Sequence, residues 1–343
     1  MTTRDGKVGF GIIGLNYGLN RCPLIQRSPD ARLVAVAARS ADKAKDAGSK
    51  LGVDWYTDYR ELLKRDDVDV VGVYTPSGQH RDIAIDAARA GKHVLLTKPM
   101  EITLERCDAI ISACEKAKVK LATEFIFRYR PSNYALYRSI ADGKFGQMVL
   151  GEFAYKCFRS QAYYESNGGW RGTWAIDGGG AIMNQTIHTV DQMLWMMGEP
   201  LTVVAHCGTY THRIEAEDTG VAVFTFKSGA FGILVGTTTF LNDRPMGAYG
   251  SDTRRIEVNG GRSSATIQED KVIMWKMEGA EAPACDARPP AANVFEDFVR
   301  WVKEDNYDSP TLVKADQSRK TVEVVLAIYE SARTGKSVTL PLR

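Results

Sequence analysis

Residues 7–21 read KVGFGIIGLNYGLNR, and this stretch decides the fold that the sequence predicts. It contains a literal G-x-G-x-x-G that starts at Gly9. In a dinucleotide-binding fold, such glycines lie in the turn between a strand and a helix. Here the match falls on an apolar run, Val8–Ile13, that is itself the predicted strand. The turn is therefore expected to begin at Gly14, with a helix over about 17–27.

The loop after this strand is the first candidate cofactor site. Gly14 permits a tight turn, and the amides that follow it can point at a phosphate. Asn16 stands where a second glycine is expected, and Asn tolerates left-handed backbone better than most residues. The alternative interpretation is a strand-to-helix turn that binds nothing. On the first interpretation, the cofactor-binding residues of the loop are Gly14, Asn16, Tyr17 and Gly18.

The first third of the chain alternates apolar strands with amphipathic helices. The predicted strands are KVGFGIIG, ARLVAVAAR, DVDVVGVYTP, KHVLLTKP and KLATEFIF, with helical patterns between them. Continuous apolar strands separated by helices are typical of parallel β-α-β units. We therefore predict a dinucleotide-binding α/β domain of the Rossmann type, with a doubly wound parallel sheet, over residues 1–127.

The pattern changes after FRYRP, near residue 131. Short strands linked by turns follow one another, interrupted by one long helical stretch over 180–198. This predicts a second, α+β domain over 128–343 with a large, mostly antiparallel open sheet. Two of its strands, VAVFTF and FGILVGTTTF, carry apolar residues on both faces, so one face needs a partner. A homodimer, or a homotetramer built from such dimers, is expected.

Composition excludes several classes of protein. The 44 Lys and Arg balance 42 Asp and Glu without a basic run, so nucleic acid is not an expected partner. No apolar run approaches the ~20 residues that cross a bilayer, and no secretory signal is visible, so a cytoplasmic protein without membrane contact is predicted. The six cysteines show no C-x-x-C pair, which favours buried free thiols over a metal or disulfide site. They are Cys22, Cys107, Cys114, Cys157, Cys207 and Cys285.

The end of the second predicted strand indicates which nicotinamide cofactor fits. A carboxylate there, about 20 residues after the glycines, would bind the ribose 2′-hydroxyl of NAD. The sequence has Arg39, Ser40 and Lys43 instead, which can stack on adenine and bind a 2′-phosphate. NADP is therefore favoured over NAD. The alternative, that these cations are merely solvated at a helix start, stays open.

Several longer motifs resemble one known family. They are YTPSGQH at 74–80, GKHVLLTKP at 91–99, RYRP at 128–131, GGGAIMNQTIHTVD at 178–191 and the closing VLAIYESARTGKSVTLP. Together they resemble the Gfo/Idh/MocA oxidoreductases over nearly the whole chain, and most of all the sugar and sugar-nucleotide dehydrogenases among them. The resemblance implies that Lys98 is the catalytic-site lysine. It further implies that Thr75, Pro76, Ser77 and His80 lie against the nicotinamide end of the cofactor.

Two departures from the family pattern change the expected chemistry. The family has Glu before its lysine, where this chain has Thr97, so the protonation state of Lys98 is open. The family's aspartate in the glycine-rich motif is Asn184 here, which can hydrogen-bond a substrate hydroxyl but cannot act as a base. His188 lies four residues further along the predicted helix and becomes the favoured proton acceptor. Asp191 is expected to orient the His188 ring. Which of Lys98 and His188 is the base stays open.

The segment FRSQAYYESNGGWRGTW crowds aromatic and basic residues just before the glycine-rich motif. Aromatic rings stack on sugars, and arginines bind carboxylate or phosphate. The predicted substrate-binding residues are Arg159, Tyr164 and Arg171, together with Lys98, Asn184 and His188. Trp170 and Arg171 are also predicted to reach the cofactor. The alternative is that about half of the side chains in this segment belong to the domain core.

These residues predict an NAD(P)-dependent oxidoreductase that interconverts a secondary alcohol and a ketone on a sugar, a sugar derivative or a cyclic polyol. The hydride would pass to or from nicotinamide C4, without a metal. Two other functions stay open: a glycosidase or lyase that oxidises its substrate transiently with bound NAD, and a non-catalytic sugar sensor. The presence of Lys98 and His188 speaks against a sensor, because a binding protein has no need of them.

Overall fold

The computed structural model describes residues 6–241, 252–279 and 287–342. Its strands are β1 (Val8–Ile13), β2 (Ala31–Ala37), β3 (Asp54–Tyr56), β4 (Val70–Val73), β5 (His93–Thr97), β6 (Leu121–Glu124), β7 (Met148–Cys157), β8 (Pro200–Gly208), β9 (Thr219–Phe226), β10 (Phe231–Thr237), β11 (Asp252–Gly260), β12 (Ser263–Gln268), β13 (Lys271–Met277), β14 (Val313–Lys314) and β15 (Val338–Thr339). Its α-helices are α1 (Cys22–Arg27), α2 (Ala41–Leu51), α3 (Tyr59–Leu63), α4 (His80–Arg89), α5 (Leu104–Ala117), α6 (Pro131–Ala141), α7 (Gln161–Glu165), α8 (Ile187–Met197), α9 (Val294–Lys303) and α10 (Ala315–Thr334).

The chain divides into two compact units. The first consists of Met1–Ile126 with Pro290–Arg319, and the second of Phe127–Pro289 with Lys320–Arg343. Each unit contains one sheet. The chain returns to the first unit near its C-terminal end, so α9 and β14 belong there although they follow the second sheet in sequence.

The first unit is built on a seven-stranded sheet in the order β14-β6-β5-β4-β1-β2-β3. All neighbours from β6 to β3 are parallel, and β14 pairs antiparallel with β6 at the edge. Every residue of β1, β4 and β5 is buried, as expected of parallel strands covered on both faces. The strand order reverses between β1 and β4, which is the doubly wound Rossmann arrangement. The predicted fold of this part is confirmed, and the two short edge strands, β3 and β14, were not predicted.

The first helix begins later than the sequence predicted. A 3-10 turn at Gly18–Asn20 follows the loop, and α1 covers only Cys22–Arg27. Pro23 stands in the first turn of α1, where its missing amide costs no hydrogen bond. Proline inside a helix costs a hydrogen bond and causes a clash with the preceding turn, so Pro23 favours a helix that starts just before it. The next helix, α2, is followed by Gly52, which has φ of +67°, the left-handed conformation common after a helix.

The second unit is built on an eight-stranded sheet in the order β13-β12-β11-β7-β10-β9-β8-β15. Only β7 and β10 are parallel neighbours, so the predicted mostly antiparallel sheet is confirmed. The segment Ala181–Thr186 and α8 pack against β7 and β10 on one face. The sequence analysis missed the edge strand β13, in which lysines at both ends weaken the apolar pattern.

The two faces of this sheet differ in what covers them. Ala222, Phe224 and Phe226 of β9 are buried, while Val221 and Val223 between them are exposed. The same alternation continues on the neighbouring strands. The exposed apolar side chains of this surface, which we call the open face, are Val204, Val221, Val223 and Phe231. The sequence predicted apolar residues on both faces, and the structure has them there.

Two absences hold for the described part of the chain. None of its helices combines the length and the apolar character needed to cross a membrane. Nor do its His, Cys, Asp and Glu side chains form a group of three or more that could hold a metal ion. The five cysteines within the described ranges carry free thiols, and four of them are buried. Cys285 lies outside the described residues.

Candidate active site

The turn after β1 is shaped for close approach of the backbone. Gly14 follows β1 directly and has φ of +92°. A Cβ at this position would lie 2.6 Å from the carbonyl oxygen of Tyr74, so no other residue fits without a shift. Gly9 lies inside β1, where a Cβ would meet the Asp67 carbonyl oxygen at 2.0 Å. The structure therefore places the turn at Gly14, as the sequence predicted, and gives Gly9 a packing role.

A cationic corner lies where β1 and β2 end. The Nζ of Lys43 donates to the side-chain oxygen of Asn16 at 3.1 Å, which brings the start of α2 to the Gly14 loop. The Ser40 hydroxyl caps α2 by accepting from the Lys43 amide at 3.4 Å. Arg39 is exposed directly before it. Among the described residues, neither Arg39 nor Lys43 forms an ion pair with a carboxylate. The corner fits an anion, and together with the Gly14 turn it fits a phosphorylated dinucleotide.

His80 links the loop after β4 to the loop after β5. Its ring is fully buried, with Nδ1 at 3.0 Å from the Pro99 oxygen and 3.2 Å from the Met100 oxygen. Its Nε2 lies 3.0 Å from the Thr75 oxygen. Burial lowers the pKa of His80, while the carboxylate of Glu101 opposes that shift. A ring used in this way shapes the segment that carries Lys98. The place of His80 against the nicotinamide, which the family resemblance implied, stays a prediction.

The other residues predicted in these two loops differ in burial. Thr75, Pro76 and Lys98 are half-buried, whereas Ser77 is buried at the start of a 3-10 turn. Lys98 follows the last residue of β5 directly. In a doubly wound sheet, ligands bind outside the carboxyl ends of the strands. The structure therefore places Lys98 at the edge of the first unit where a ligand is expected.

The glycine-rich motif of the second unit begins with a π-helix. The sequence predicted one helix over 180–198, but Ala181–Thr186 is π-helical and α8 starts only at Ile187. Asn184 therefore lies in the wider helix, and the α-helical spacing expected between it and His188 does not apply. Short π-helical segments are rare and occur frequently at functional sites.

A buried carboxylate holds the first turn of this π-helix. Glu217 accepts from the amides of Gly180 at 3.1 Å and Ile182 at 2.7 Å. The Tyr329 hydroxyl donates to Glu217 at 2.9 Å and accepts from the Met183 amide at 3.1 Å. Burial raises the pKa of Glu217 to about 7. The sequence analysis missed Glu217, because no local pattern connects it to the distant motif that it holds.

Asn184 is oriented by a second buried acid. Its side-chain nitrogen donates to Asp177, at 2.8 Å from one oxygen and 3.1 Å from the other. Asp177 also accepts from the Gly172 amide at 2.9 Å. A carboxylate only accepts hydrogen bonds, so it fixes the nitrogen of the amide toward itself. The carbonyl oxygen of Asn184 is then its acceptor for other groups. Asp177 was not among the residues predicted from the sequence.

His188 lies against an aromatic ring. It is buried on α8, and its ring centroid is 4.9 Å from that of Phe127. Asp191, which was expected to orient this ring, has another partner. Both of its oxygens accept from Arg128, at 2.9 Å from Nε and 2.7 Å from Nη2. Burial raises the pKa of Asp191, and the Arg128 guanidinium opposes that shift.

Two arginines share one tyrosine ring in the predicted substrate segment. The guanidinium carbon of Arg171 lies 4.5 Å from the Tyr163 ring centroid, and that of Arg159 lies 5.3 Å from it. The Tyr163 hydroxyl accepts from Gln185 of the π-helix at 3.0 Å. Arg159 is only 8% exposed. Among the described residues, neither arginine pairs with a carboxylate. A buried guanidinium without a counter-ion is costly, so this cluster fits an anionic group from outside the chain.

The other two residues predicted in this segment have different surroundings. Tyr164 is buried, and its hydroxyl lies 2.8 Å from that of Thr238. It therefore takes a core position, which is the alternative that the sequence analysis kept open. Trp170 is half-buried, and the Arg171 guanidinium lies 4.9 Å from its ring centroid.

Family models match both units of the chain. The model described as an oxidoreductase family with an NAD-binding Rossmann fold matches residues 8–125. The model of the GFO/IDH/MocA C-terminal domain matches residues 135–266. The chain belongs to the Gfo/Idh/MocA oxidoreductase family. The resemblance stated from the motifs is thereby confirmed.

Relatives of this Gfo/Idh/MocA protein align along most of its length. Myo-inositol 2-dehydrogenase of Thermotoga maritima is 28% identical, covering 80% of this chain and 79% of the relative. The scyllo-inositol 2-dehydrogenase (NAD(+)) of Bacillus subtilis is 26% identical, covering 99% and 97%. A solved structure of the WlbA dehydrogenase from Bordetella pertussis, in complex with NADH and UDP-GlcNAcA, is 27% identical. It has a TM-score of 0.87 and covers 98% of this chain and 100% of its own.

Proposed function

We propose that this Gfo/Idh/MocA oxidoreductase interconverts a secondary alcohol and a ketone on an anionic sugar or sugar derivative, using NAD(P). The observation that carries this proposal is the Tyr163 ring with Arg159 and Arg171 on it, close in sequence to Asn184 and His188. The named relatives act on polyols or bind a sugar nucleotide, which supports a carbohydrate substrate. A carboxylate or phosphate on that substrate would supply the counter-charge that the two arginines need.

In this proposal the cofactor is held by the first unit. When bound, the nicotinamide supplies hydride transfer at its C4. The Gly14 turn would receive the phosphates together with Asn16, Tyr17 and Gly18, and Thr75, Pro76 and Ser77 would adjoin the nicotinamide end. Arg39, Ser40 and Lys43 would bind a 2′-phosphate, which makes NADP the preferred cofactor. Trp170 and Arg171 stay candidates for contact with the cofactor, and His80 holds the loop that carries Lys98.

Side chains of the protein then accept the substrate proton and stabilise the charge on the substrate oxygen. His188 takes the hydroxyl proton as the neutral imidazole. Lys98, as the ammonium, stabilises the negative charge that develops on the oxygen. Asn184, fixed by Asp177, accepts a hydrogen bond from the substrate through its carbonyl oxygen and so orients the sugar. The reverse assignment, with Lys98 as the base, is the outcome that the variants discussed below would reveal.

The open face of the second sheet is proposed as the interface with a second copy of this chain. In the sheet, Val204 of β8 pairs with Val223 of β9, which pairs with Ile233 of β10, so a row of apolar side chains crosses three strands. Val223 is 52% exposed in the single chain. An exposed apolar surface of this extent is typical of an interface. A homodimer is the simplest assembly that buries it, and a tetramer could combine two such dimers.

A substrate screen tests the function. Matched pairs of sugars that differ only in a carboxylate or phosphate would be incubated with NAD and NADP, and formation of reduced cofactor would be followed by absorbance. Stoichiometric reduction with the anionic member of a pair, and a much higher KM for the neutral one, is expected. Product formation without net reduction would identify a lyase or glycosidase that uses the cofactor transiently. Tight binding of sugars without turnover would identify a sensor.

A further inference from the structure

A buried acid stands one strand away from Lys98. Glu124 ends β6 and pairs in register with Thr97, which ends β5 and directly precedes Lys98. Paired positions on adjacent parallel strands direct their side chains to the same face of the sheet. Both side chains are buried. Glu124 therefore lies across from the position at which, by the resemblance described above, the family carries a glutamate.

Glu124 also connects to the loop after β1. The Nε of Arg21 lies 2.9 Å from one oxygen of Glu124 in a nearly dry ion pair, with 14% and 3% of the two side chains exposed. The same guanidinium stacks on the Tyr17 ring at 4.3 Å and donates to the Tyr17 hydroxyl. The Tyr17 and Tyr74 rings are 6.0 Å apart. One carboxylate thus joins the candidate phosphate turn to the end of the neighbouring strands.

Lys98 is a second cation that interacts electrostatically with Glu124. Burial raises the pKa of Glu124, and the charges of Arg21 and Lys98 both oppose that shift. An opposite charge nearby favours the charged form of an ionisable group, so an ionised Glu124 is expected to favour the ammonium form of Lys98. The other titratable groups around this cluster are Tyr17 and Tyr74, with His80 and Glu101 in the loops that flank Lys98. Glu124 is the acid of this set that pairs in register with the residue before the lysine.

We propose that Glu124 is the counter-ion and positioning residue of Lys98, and that it supplies from β6 the carboxylate missing at Thr97. Lys98 then stays an ammonium at neutral pH, as required of the group that stabilises the developing oxyanion. The Arg21 ion pair holds Glu124 in place and connects the charge of Lys98 to the loop expected to bind the cofactor. The inference rests on the proposed function only where it assigns the Lys98 ammonium a role in stabilising the oxyanion.

Trace labelling of Lys98 with acetic anhydride, followed over pH by peptide mass spectrometry, tests the proposal without any substrate. In Glu124→Gln, the pKa of Lys98 should fall by about one unit or more, as expected for the loss of a nearby opposite charge. Adding Thr97→Glu to Glu124→Gln moves the carboxylate to the paired strand and should raise the pKa of Lys98 again. A merely structural role for Glu124 would leave the pKa of Lys98 unchanged in the single variant.

Two further variants separate charge from folding. Glu124→Gln leaves Arg21 buried without its partner, so the double variant Arg21→Gln with Glu124→Gln removes both charges and should show the same lowered pKa of Lys98. Asp297→Asn is the matched control, because Asp297 is a fully buried acid of the same unit whose carboxylate accepts from Tyr307, Ser309 and Thr311. It should lose thermal stability and leave Lys98 unchanged.

The labelling result and the activity result are independent. An unchanged titration of Lys98 in folded Glu124→Gln and in the double variant would overturn the proposal. An enzyme that oxidises no sugar would overturn the proposed function and leave the labelling result as it is. With an active substrate, Glu124→Gln should also move the alkaline limb of the kcat/KM profile to lower pH, because a lysine that must be charged then loses its proton earlier.

Discussion

The side-chain nitrogen of Asn184 donates to both carboxylate oxygens of Asp177, at 2.8 and 3.1 Å. This pair fixes which end of the Asn184 amide is presented to other groups. It also explains how the chain can use an amide where its family has an ionisable aspartate. An amide alone can flip and offer either a donor or an acceptor, whereas an amide beside a buried carboxylate has one favoured orientation.

Replacing Asp177 with Asn should therefore disable Asn184 without removing it. The new amide can itself donate, so the orientation of Asn184 is lost, and kcat/KM should fall about tenfold or more, the effect of a misplaced positioning group. Steady-state kinetics of Asp177→Asn, Asn184→Ala and the double variant would measure it. If the two residues act as a unit, the double variant is no worse than the worse single variant. Additive losses would contradict the pairing as the cause.

His188 and Lys98 should differ in what their loss does. His188→Ala should lower kcat by roughly 10² or more, within the range for losing a general base, with little change in cofactor affinity. Lys98→Ala should cost a comparable amount, because an oxyanion-stabilising charge is lost. Turnover numbers and cofactor titrations by fluorescence would be compared for both. Near-normal turnover in His188→Ala, with none in Lys98→Ala, would make Lys98 the base.

Cofactor preference should depend on the cationic corner. Arg39→Ala should weaken binding of NADP more than that of NAD, because only NADP carries the 2′-phosphate. Dissociation constants of both cofactors, measured by fluorescence titration, would give the ratio. Lys45→Ala is the matched control, since Lys45 is an exposed cation on the same helix outside the corner. A wild-type enzyme that binds NAD tenfold more tightly, about 1.4 kcal/mol, would contradict the assignment.

Features that depend on neighbouring residues could be predicted from the sequence. Contacts between residues far apart in the chain could not. The position of the turn after β1 followed from Gly14, because a glycine is needed where the backbone turns tightly after an apolar strand. The π-helix did not follow from its own residues. Its first turn is set by Glu217, which binds amides from a remote part of the chain. Pairing of Glu124 with Arg21 and Thr97 likewise becomes visible only with the strand register.

A single charged side chain introduced into the open face should disrupt assembly of the protein. Val223→Glu places a carboxylate in the middle of the apolar row and should shift the protein from dimer or tetramer toward monomer. Light scattering at micromolar concentration would report the mass. Trp55→Glu is the control, because Trp55 is a 40% exposed apolar side chain that belongs to the first unit and not to this sheet. A wild-type monomer under the same conditions would rule out the proposed interface.

Glu217 should make the stability of the second unit depend on pH. Its pKa of about 7 in the folded protein lies above the 4.5 of an ordinary glutamate, because burial disfavours the charged form. Between these two values the folded state holds a proton that the unfolded state has released, so stability falls as pH rises through this window and then levels off. The shift corresponds to a change on the order of 3 kcal/mol.

The comparison of wild type with Glu217→Gln isolates this effect, since glutamine does not titrate. The free energy of unfolding of the wild type, relative to that of the variant, should decrease from pH 4.5 to about pH 7, and denaturant unfolding at several pH values would measure it. Tyr329→Phe removes a hydrogen bond that favours the ionised carboxylate, so it should raise the pKa of Glu217 and extend the decline to higher pH. A difference between wild type and Glu217→Gln that stays constant with pH would show that Glu217 titrates normally and does not hold the π-helix as a buried acid.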